Sequence, residues 1–241
     1  MSSRVLSFVE ELEFAIMCGE LHPKQRLVEA DLAGTYGVGR GIVREGLRLL
    51  EDRGLVCHHS NKGSAVIEYS AEEICHIYLL RLQMENMALA LAVPRITSVH
   101  LKEMLRCHTS LRKGGLTHRQ MIQAHEAFHD VLFQASGNAQ LREFLQRLIS
   151  RSGRVRYLQY IRVKSRKNVL AQHEGILEAV TARDTEKLLS LNHTHLYGSL
   201  QNYLQDFHPA EVDTLLQELQ KDMATAHYAW FNMQRQDVQL S

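Results

Sequence analysis

Gly37-Val38-Gly39-Arg40-Gly41-Ile42-Val43-Arg44-Glu45-Gly46-Leu47-Arg48 decides how the N-terminal part of the chain folds. Gly37 and Gly39 mark a tight break, because glycine takes positive φ without steric penalty. From about Arg40 to Asp52, Val43, Leu47 and Leu50 recur at helical spacing on one face. Arg40, Arg44 and Arg48, spaced four apart, make a basic stripe on another, and Gly54 stops the helix. Upstream, Val5, Phe8, Val9, Leu12 and Ile16 predict a first helix closed by Gly19, and Pro23 lies in the turn after it. A short second helix follows through Glu29, Leu32, Ala33 and Tyr36. Beyond Gly54, Leu55 to His59 and Ser64 to Glu68 read as strands joined at Ser60-Asn61-Lys62-Gly63. Two short helices across a glycine turn and then a hairpin form the layout of a winged helix-turn-helix.

Such a helix can offer its arginine stripe to the major groove, where arginine reads guanine, while Val43, Leu47 and Leu50 anchor it. Lys62 and Gly63 fall at the hairpin tip, within reach of a phosphate or the minor groove. The plainer reading is a solvated face on which the arginines pair with Glu45 and Glu51. The helix-turn before the stripe and the hairpin after it favour DNA binding. The formal net charge of +1 gives no global sign of it, so the reading rests on local arrangement.

After Tyr69 the pattern is helical almost throughout, in keeping with only three prolines among 241 residues. Ser70 predicts an N-cap with Glu72 and Glu73 in the first turn of a helix running to about Val93, where Pro94 ends it. Further helices are predicted at 97–112, 117–136, 138–163, 167–183 and 184–206. A last amphipathic segment spans about 209–235, with Pro209 in its first turn. The fold class is therefore mainly α: a winged helix-turn-helix over 1–69, a helical domain over 72–206, and an extra helix within 207–241. Val212, Leu215, Leu216, Leu219 and Met223 suit that helix to packing on the bundle or on a dimer partner, with Trp230 and Phe231 as anchors.

No apolar run approaches the roughly 20 residues that span a bilayer. The N-terminus carries Glu10, Glu11 and Glu13, unlike a signal peptide. Cys18, Cys57, Cys75 and Cys107 are scattered without a Cys-x-x-Cys pair and read as reduced thiols, so a cytoplasmic protein is expected.

Residues 16–67 resemble the DNA-binding domain of GntR-type regulators, through Gly19-Glu20-Leu21-His22-Pro23, Gly37-Val38-Gly39-Arg40, Val43-Arg44-Glu45-Gly46-Leu47 and Gly54-Leu55-Val56. The resemblance implies that Arg40, Arg44 and Gly63 lie at an operator. The chain departs from the family at Gly39, where serine or threonine is usual, at Ile42, where proline is usual, and at Gly46, where alanine is usual. With glycine at 39 the serine or threonine side chain that would cap the helix is missing.

Fourteen histidines make their placement informative. His125-Glu126-x-x-His129 is, read literally, the zincin motif, two metal ligands at i and i+4 around a general base. A zinc metallopeptidase is thus the alternative function, although Leu132 and Ala135 stand where the extended pattern needs glycine and a third histidine. His173 and His195 lie on two further predicted helices and could join His129 in one core, where three histidines suit a divalent ion. Each histidine alone would read as an ordinary core or surface residue.

Residues 72–205 resemble the FCD domain of the FadR subfamily of GntR regulators, through Arg81-x-x-Met84-Glu85, Phe128-His129, Ala135-Ser136-Gly137-Asn138, His173-Glu174-x-Ile176 and His195-Leu196. The resemblance implies a metal held by an Asp and three His, with the effector's carboxylate completing the shell. His129, His173 and His195 match the histidines, and His125 replaces the Asp, tilting preference toward Zn, Ni or Cu. It also places Arg81 at the effector, where the plain alternative is an i,i+4 salt bridge to Glu85. Asn138 is expected to cap the next helix and to touch the pocket. The expected protein is a homodimeric, ligand-controlled regulator, by default a repressor. Its expected partners are double-stranded operator DNA and a small carboxylate effector, and it needs no membrane and performs no catalysis.

Overall fold

The computed structural model describes residues 2–60, 63–113 and 115–237, with side chains for all of these except 163–165 and 226–237. Helices α1 (Ser3–Cys18), α2 (Glu29–Tyr36) and α3 (Arg40–Asp52) precede a hairpin of β2 (Val56–His59) and β3 (Gly63–Val66). A two-residue strand, β1 (Arg26–Leu27), pairs antiparallel with β3 on its other side, so the sheet order is β1-β3-β2. Two residues carry no alternation to read, and β1 was not expected. Val5, Phe8, Val9, Leu12, Leu32, Val43, Leu47, Leu50, Leu55, Val56 and Val66 close over one core. Gly37 ends α2 with φ +62°, but Gly39 is an extended N-cap at φ −72°, so only the first glycine of the pair uses its left-handed freedom.

Helix α4 (Ala71–Ala92) opens on a capping box, in which Ser70 Oγ accepts from Glu73 N and Ser70 N donates to Glu73 Oε2. Val93–Arg95 make a 3-10 turn around Pro94. Then follow α5 (Ser98–Lys113), α6 (His118–Ala135), α7 (Ala139–Arg151), α8 (Gly153–Ile161), α9 (Val163–Ala182), α10 (Thr185–Phe207) and α11 (Val212–Asp237). The expected helix over 138–163 is two helices. Ser152 Oγ donates back to Leu148 and Ile149 carbonyls while accepting from Arg81 Nη1, and Gly153 restarts the chain. The break expected between 163 and 167 falls at Arg162, which is extended at φ −94°, ψ 117° and pairs with Asp206 on α10. Pro209 precedes α11 in a turn instead of opening it.

Helix α4 is central and packs against α6, α7, α10 and α11. Leu215, Leu216 and Leu219 of α11 bury against Ile74, Tyr78 and Leu82 of α4 within one cluster. The side chains of Trp230 and Phe231 lie outside the described residues. Helix α1 has a second apolar face, on which Phe14 and Met17 pack with Ile122, Tyr157 and Tyr160. No helix among the described residues is long and apolar enough to cross a membrane.

Candidate functional site

The four histidines singled out in the sequence meet. His125 and His129, one turn apart on α6, share a face, and His173 from α9 and His195 from α10 come in from two neighbouring helices. All four are buried. Nε2 of His129 lies 3.2 Å from both His125 Nε2 and His173 Nε2, and His125 Nε2 lies 3.3 Å from His195 Nε2. His125 and His173 stack nearly parallel, their rings 5.0 Å apart, and His173 stacks on Phe128 at 4.2 Å.

Burial, then the neighbouring histidines and arginines, holds His125 and His129 well below the ordinary imidazole pKa, and burial with the neighbouring rings does the same for His173. His195 is pushed down to about 4 by burial and the charge of Arg81. The four rings are therefore neutral near pH 7, the form that donates a lone pair. His195 Nδ1–H donates to Gln172 Oε1 at 2.8 Å, which turns its Nε2 lone pair toward the other three.

Hydrogen bonding satisfies this cluster poorly. Three Nε2–Nε2 contacts have at most one proton per nitrogen to share, and His125 Nδ1 and His173 Nδ1 are buried without partners. A tetrahedral ion with bonds of about 2.0–2.1 Å has ligand–ligand edges of about 3.3–3.4 Å. Three of the six edges match at 3.2–3.3 Å and all four donor atoms lie within 4.8 Å of one another, and an all-imidazole set suits Zn, Ni or Cu.

The cluster lies at a cavity of about 660 Å³, whose wall includes His125, His129 and His195 together with Arg81 and Arg156. Arg81 is buried and anchored through all three nitrogens: Nε and Nη2 donate to Glu85 Oε1 at 3.0 and 2.9 Å, and Nη1 to Ser152 Oγ at 3.1 Å. Arg81 makes the expected i,i+4 pair with Glu85 and also lines the cavity. Asn138 is absent from the wall. Its Oδ1 accepts from Leu141 N at the start of α7, so its side chain is spent as a cap.

Sequence reasoning missed Arg156. It sits on α8 with its side chain 6% exposed, donates to Glu126 Oε1 at 2.6 Å and to the Ile149 carbonyl at 3.0 Å, and keeps Nε buried without a partner. It follows Arg151 and Arg154 in a stretch whose local pattern does not set it apart from them. Also unforeseen, the cavity continues to the helix-turn-helix, whose Phe14, Met17, Leu49 and Arg53 form part of its wall. Ion pairs Arg119–Glu11 (2.6 Å) and Arg147–Asp52 (3.1 Å) cross between the two halves nearby. Arg151 Nε donates to the Arg53 carbonyl that ends α3, and Tyr69 OH donates to the Gly54 carbonyl.

On α3, Arg40, Arg44 and Arg48 are all exposed while Val43, Leu47 and Leu50 are buried, so the basic stripe faces outward. Arg44 Nε pairs with Glu29 Oε2 at 2.8 Å, a contact exposed enough to exchange for a phosphate or a base. Gly63 opens β3 with φ +80°, and Lys62 lies outside the described residues. Two of the departures from the usual pattern, at Ile42 and Gly46, have local causes. Ile42 N–H donates to the Gly39 carbonyl, a bond proline could not make, and a Cβ at Gly46 would overlap the Phe8 ring.

Residues 6–66 match the bacterial regulatory proteins of the gntR family, and residues 76–198 match the FCD domain. YdhC of Bacillus subtilis (strain 168), described as an uncharacterized HTH-type transcriptional regulator, is 27% identical over 184 residues, 75% of this chain and 82% of its own length. The HTH-type transcriptional repressor GlaR of Escherichia coli (strain K12) is 28% identical over 195 residues, 75% of this chain and 87% of its own length. Among solved structures, McbR/YncC of E. coli shares the fold with a TM-score of 0.68 at 23% identity, over 90% of this chain and 99% of that one. A putative GntR regulator from Rhodococcus sp. RHA1 does so with a TM-score of 0.66 at 22% identity, over 86% and 100%. These are regulators and not enzymes, and nothing in them supports the metallopeptidase reading of His125-Glu126-x-x-His129. A gntR-type helix-turn-helix followed by an FCD domain makes this chain a DNA-binding transcriptional regulator of the GntR family.

Proposed function

We propose that the chain is a homodimeric repressor whose hold on its operator is released by a small carboxylate effector bound beside a divalent ion in the FCD domain. The observation that carries this reading is the set of four neutral, buried imidazoles at a cavity that also touches the DNA-binding half. His125, His129, His173 and His195 would hold the ion, zinc or nickel by donor type. A divalent ion there supplies a positive charge and a coordination position for a carboxylate oxygen. Arg81, fixed by Glu85 and Ser152, offers the effector a preorganised cation, and Asn138 serves by fixing the start of α7.

Arg40, Arg44 and Arg48 enter the major groove, and the wing residues Lys62 and Gly63 contact the backbone or the minor groove. Repression is favoured because a relative at 28% identity is described as a repressor. Dimerisation is favoured by Leu80 and Met87 on α4 and Phe144 on adjacent α7, large apolar side chains left about half exposed among the described residues. Two chains would set their α3 helices in successive major grooves of a near-palindromic operator in the cytoplasm.

Arg44→Ala tests the DNA reading. Electrophoretic mobility shift with operator DNA should show a complex weaker by about 5- to 150-fold, the scale of one lost bidentate base contact of about 1–3 kcal/mol. Circular dichroism and metal content should be unchanged. A normal shift by this variant would remove α3 as the recognition helix.

A further inference from the structure

Each arginine of the inner cavity already has a carboxylate. Arg81 pairs with Glu85 and Arg156 with Glu126, so beside the histidine cluster these two ion pairs cancel before any ion is counted. A divalent ion among neutral ligands adds two positive charges, and a single carboxylate would cancel one of them. The two arginines also differ in what they have left to give. Arg81 is committed through all three nitrogens to buried partners. Arg156 keeps its Nε free and buried, and the carboxylate that holds its Nη1 belongs to Glu126, whose side chain is 41% exposed. That partner can turn out to water and free Nη1 for a charge-assisted contact with an incoming carboxylate.

Placement agrees with charge. Arg156 on α8 and the His125–His129 face of α6 belong to packed helices and line the same cavity. At about 660 Å³ that cavity lies within the range for whole small-molecule ligands and leaves room beyond one carboxylate.

We propose that the effector is a two-ended acid with two negative groups, and that Arg156 selects for it by binding the carboxylate that lies away from the histidine cluster. This inference rests on the metal-and-acid reading above and adds to it the class of acid and the residue that chooses it. A monocarboxylate would fill the cluster end alone and leave Arg156 to Glu126.

The test uses full-length, zinc-loaded protein and isothermal titration calorimetry with matched pairs of probes, succinate against butyrate and adipate against hexanoate. In the native protein at least one dicarboxylate should bind about tenfold or more tightly than its monocarboxylate, the effect of one charge-assisted contact. Arg156→Gln should bring that ratio close to one while leaving monocarboxylate affinity and bound zinc unchanged. Glu126→Gln should act in the opposite sense and tighten dicarboxylate binding, because the internal competitor is gone. That second variant decides the matter if Arg156→Gln fails to fold. Equal binding of both acid classes by the native protein overturns the inference and leaves the metal-and-acid reading standing. So does equal weakening of both classes by Arg156→Gln, or no gain from Glu126→Gln. Failure of every acid to bind zinc-loaded protein would overturn that reading itself, and this inference with it.

Discussion

Gly46 shows how one missing side chain sets the packing of the helix-turn-helix. Alanine would raise helix propensity by up to about 1 kcal/mol. Its Cβ would overlap the ring of Phe8, which is 2% exposed and hemmed in by Tyr36 in an edge contact at 5.4 Å. Overpacking a closed core costs about 1–3 kcal/mol, so the steric term wins. Gly46→Ala should lower unfolding stability in urea by about 1–2 kcal/mol, and Phe8→Leu in the same chain should recover part of it. Additive losses from the two changes would show that the contact is not the cause. The histidines were legible at this scale because His125 and His129 share a helix face whatever the tertiary fold. Arg156 was not, since the value of a buried guanidinium depends on Glu126 thirty positions away and on a cavity that no local pattern records.

Between α7 and α8, a few consecutive residues alternate in what they serve. Ser152 receives Arg81, and Arg156 meets Glu126, both on the cavity side. Arg151 donates to the carbonyl that ends α3, the Arg154 guanidinium covers Gly19 at the end of α1, and Gly153 packs on Met17. Two cations thus stand at the C-terminal ends of two helices of the DNA-binding half, where the helix dipole favours positive charge. Replacing Arg151 and Arg154 together with alanine should loosen those ends. Hydrogen–deuterium exchange should rise in the last turns of α1 and α3 and stay unchanged in β2 and β3. Unaltered protection there would mean that the junction does not brace the helix-turn-helix. This junction was hidden in the sequence because 138–163 reads as a single amphipathic run, and the break needs the Arg81–Ser152 bond from a distant helix. The glycine-punctuated elements, α1 to α3 and the hairpin, were legible because glycine and apolar spacing act locally. The second face of α1, with Phe14 and Met17, was not, since its partners come from α6 and α8.

Taken whole, the molecule joins its two halves by ion pairs, by the Phe14–Met17 contact and by a shared cavity, and it closes its helical half around four imidazoles. An ion held there would tie α6, α9 and α10 at one point, and its binding free energy would add to the folded state alone. At a free metal concentration of about one hundred times the dissociation constant that linkage contributes about 2.7 kcal/mol. For a chain of this size it corresponds to a rise of about 5–10 °C in melting temperature. Zinc-loaded protein should therefore melt higher than protein treated with EDTA, and adding zinc back should restore the difference. His173→Ala should abolish the zinc-dependent rise, because it removes one of the four donors of the cluster. Because α1 is braced on the helical half through Phe14, Met17 and Arg119, the helix-turn-helix should move with it in a single transition. Two separated transitions, with only the later one responding to zinc, would mean that the halves are thermodynamically independent and that the cavity cannot speak to α3. An unchanged melting temperature on chelation, from protein shown to have carried zinc, would leave the four histidines as packing and no more.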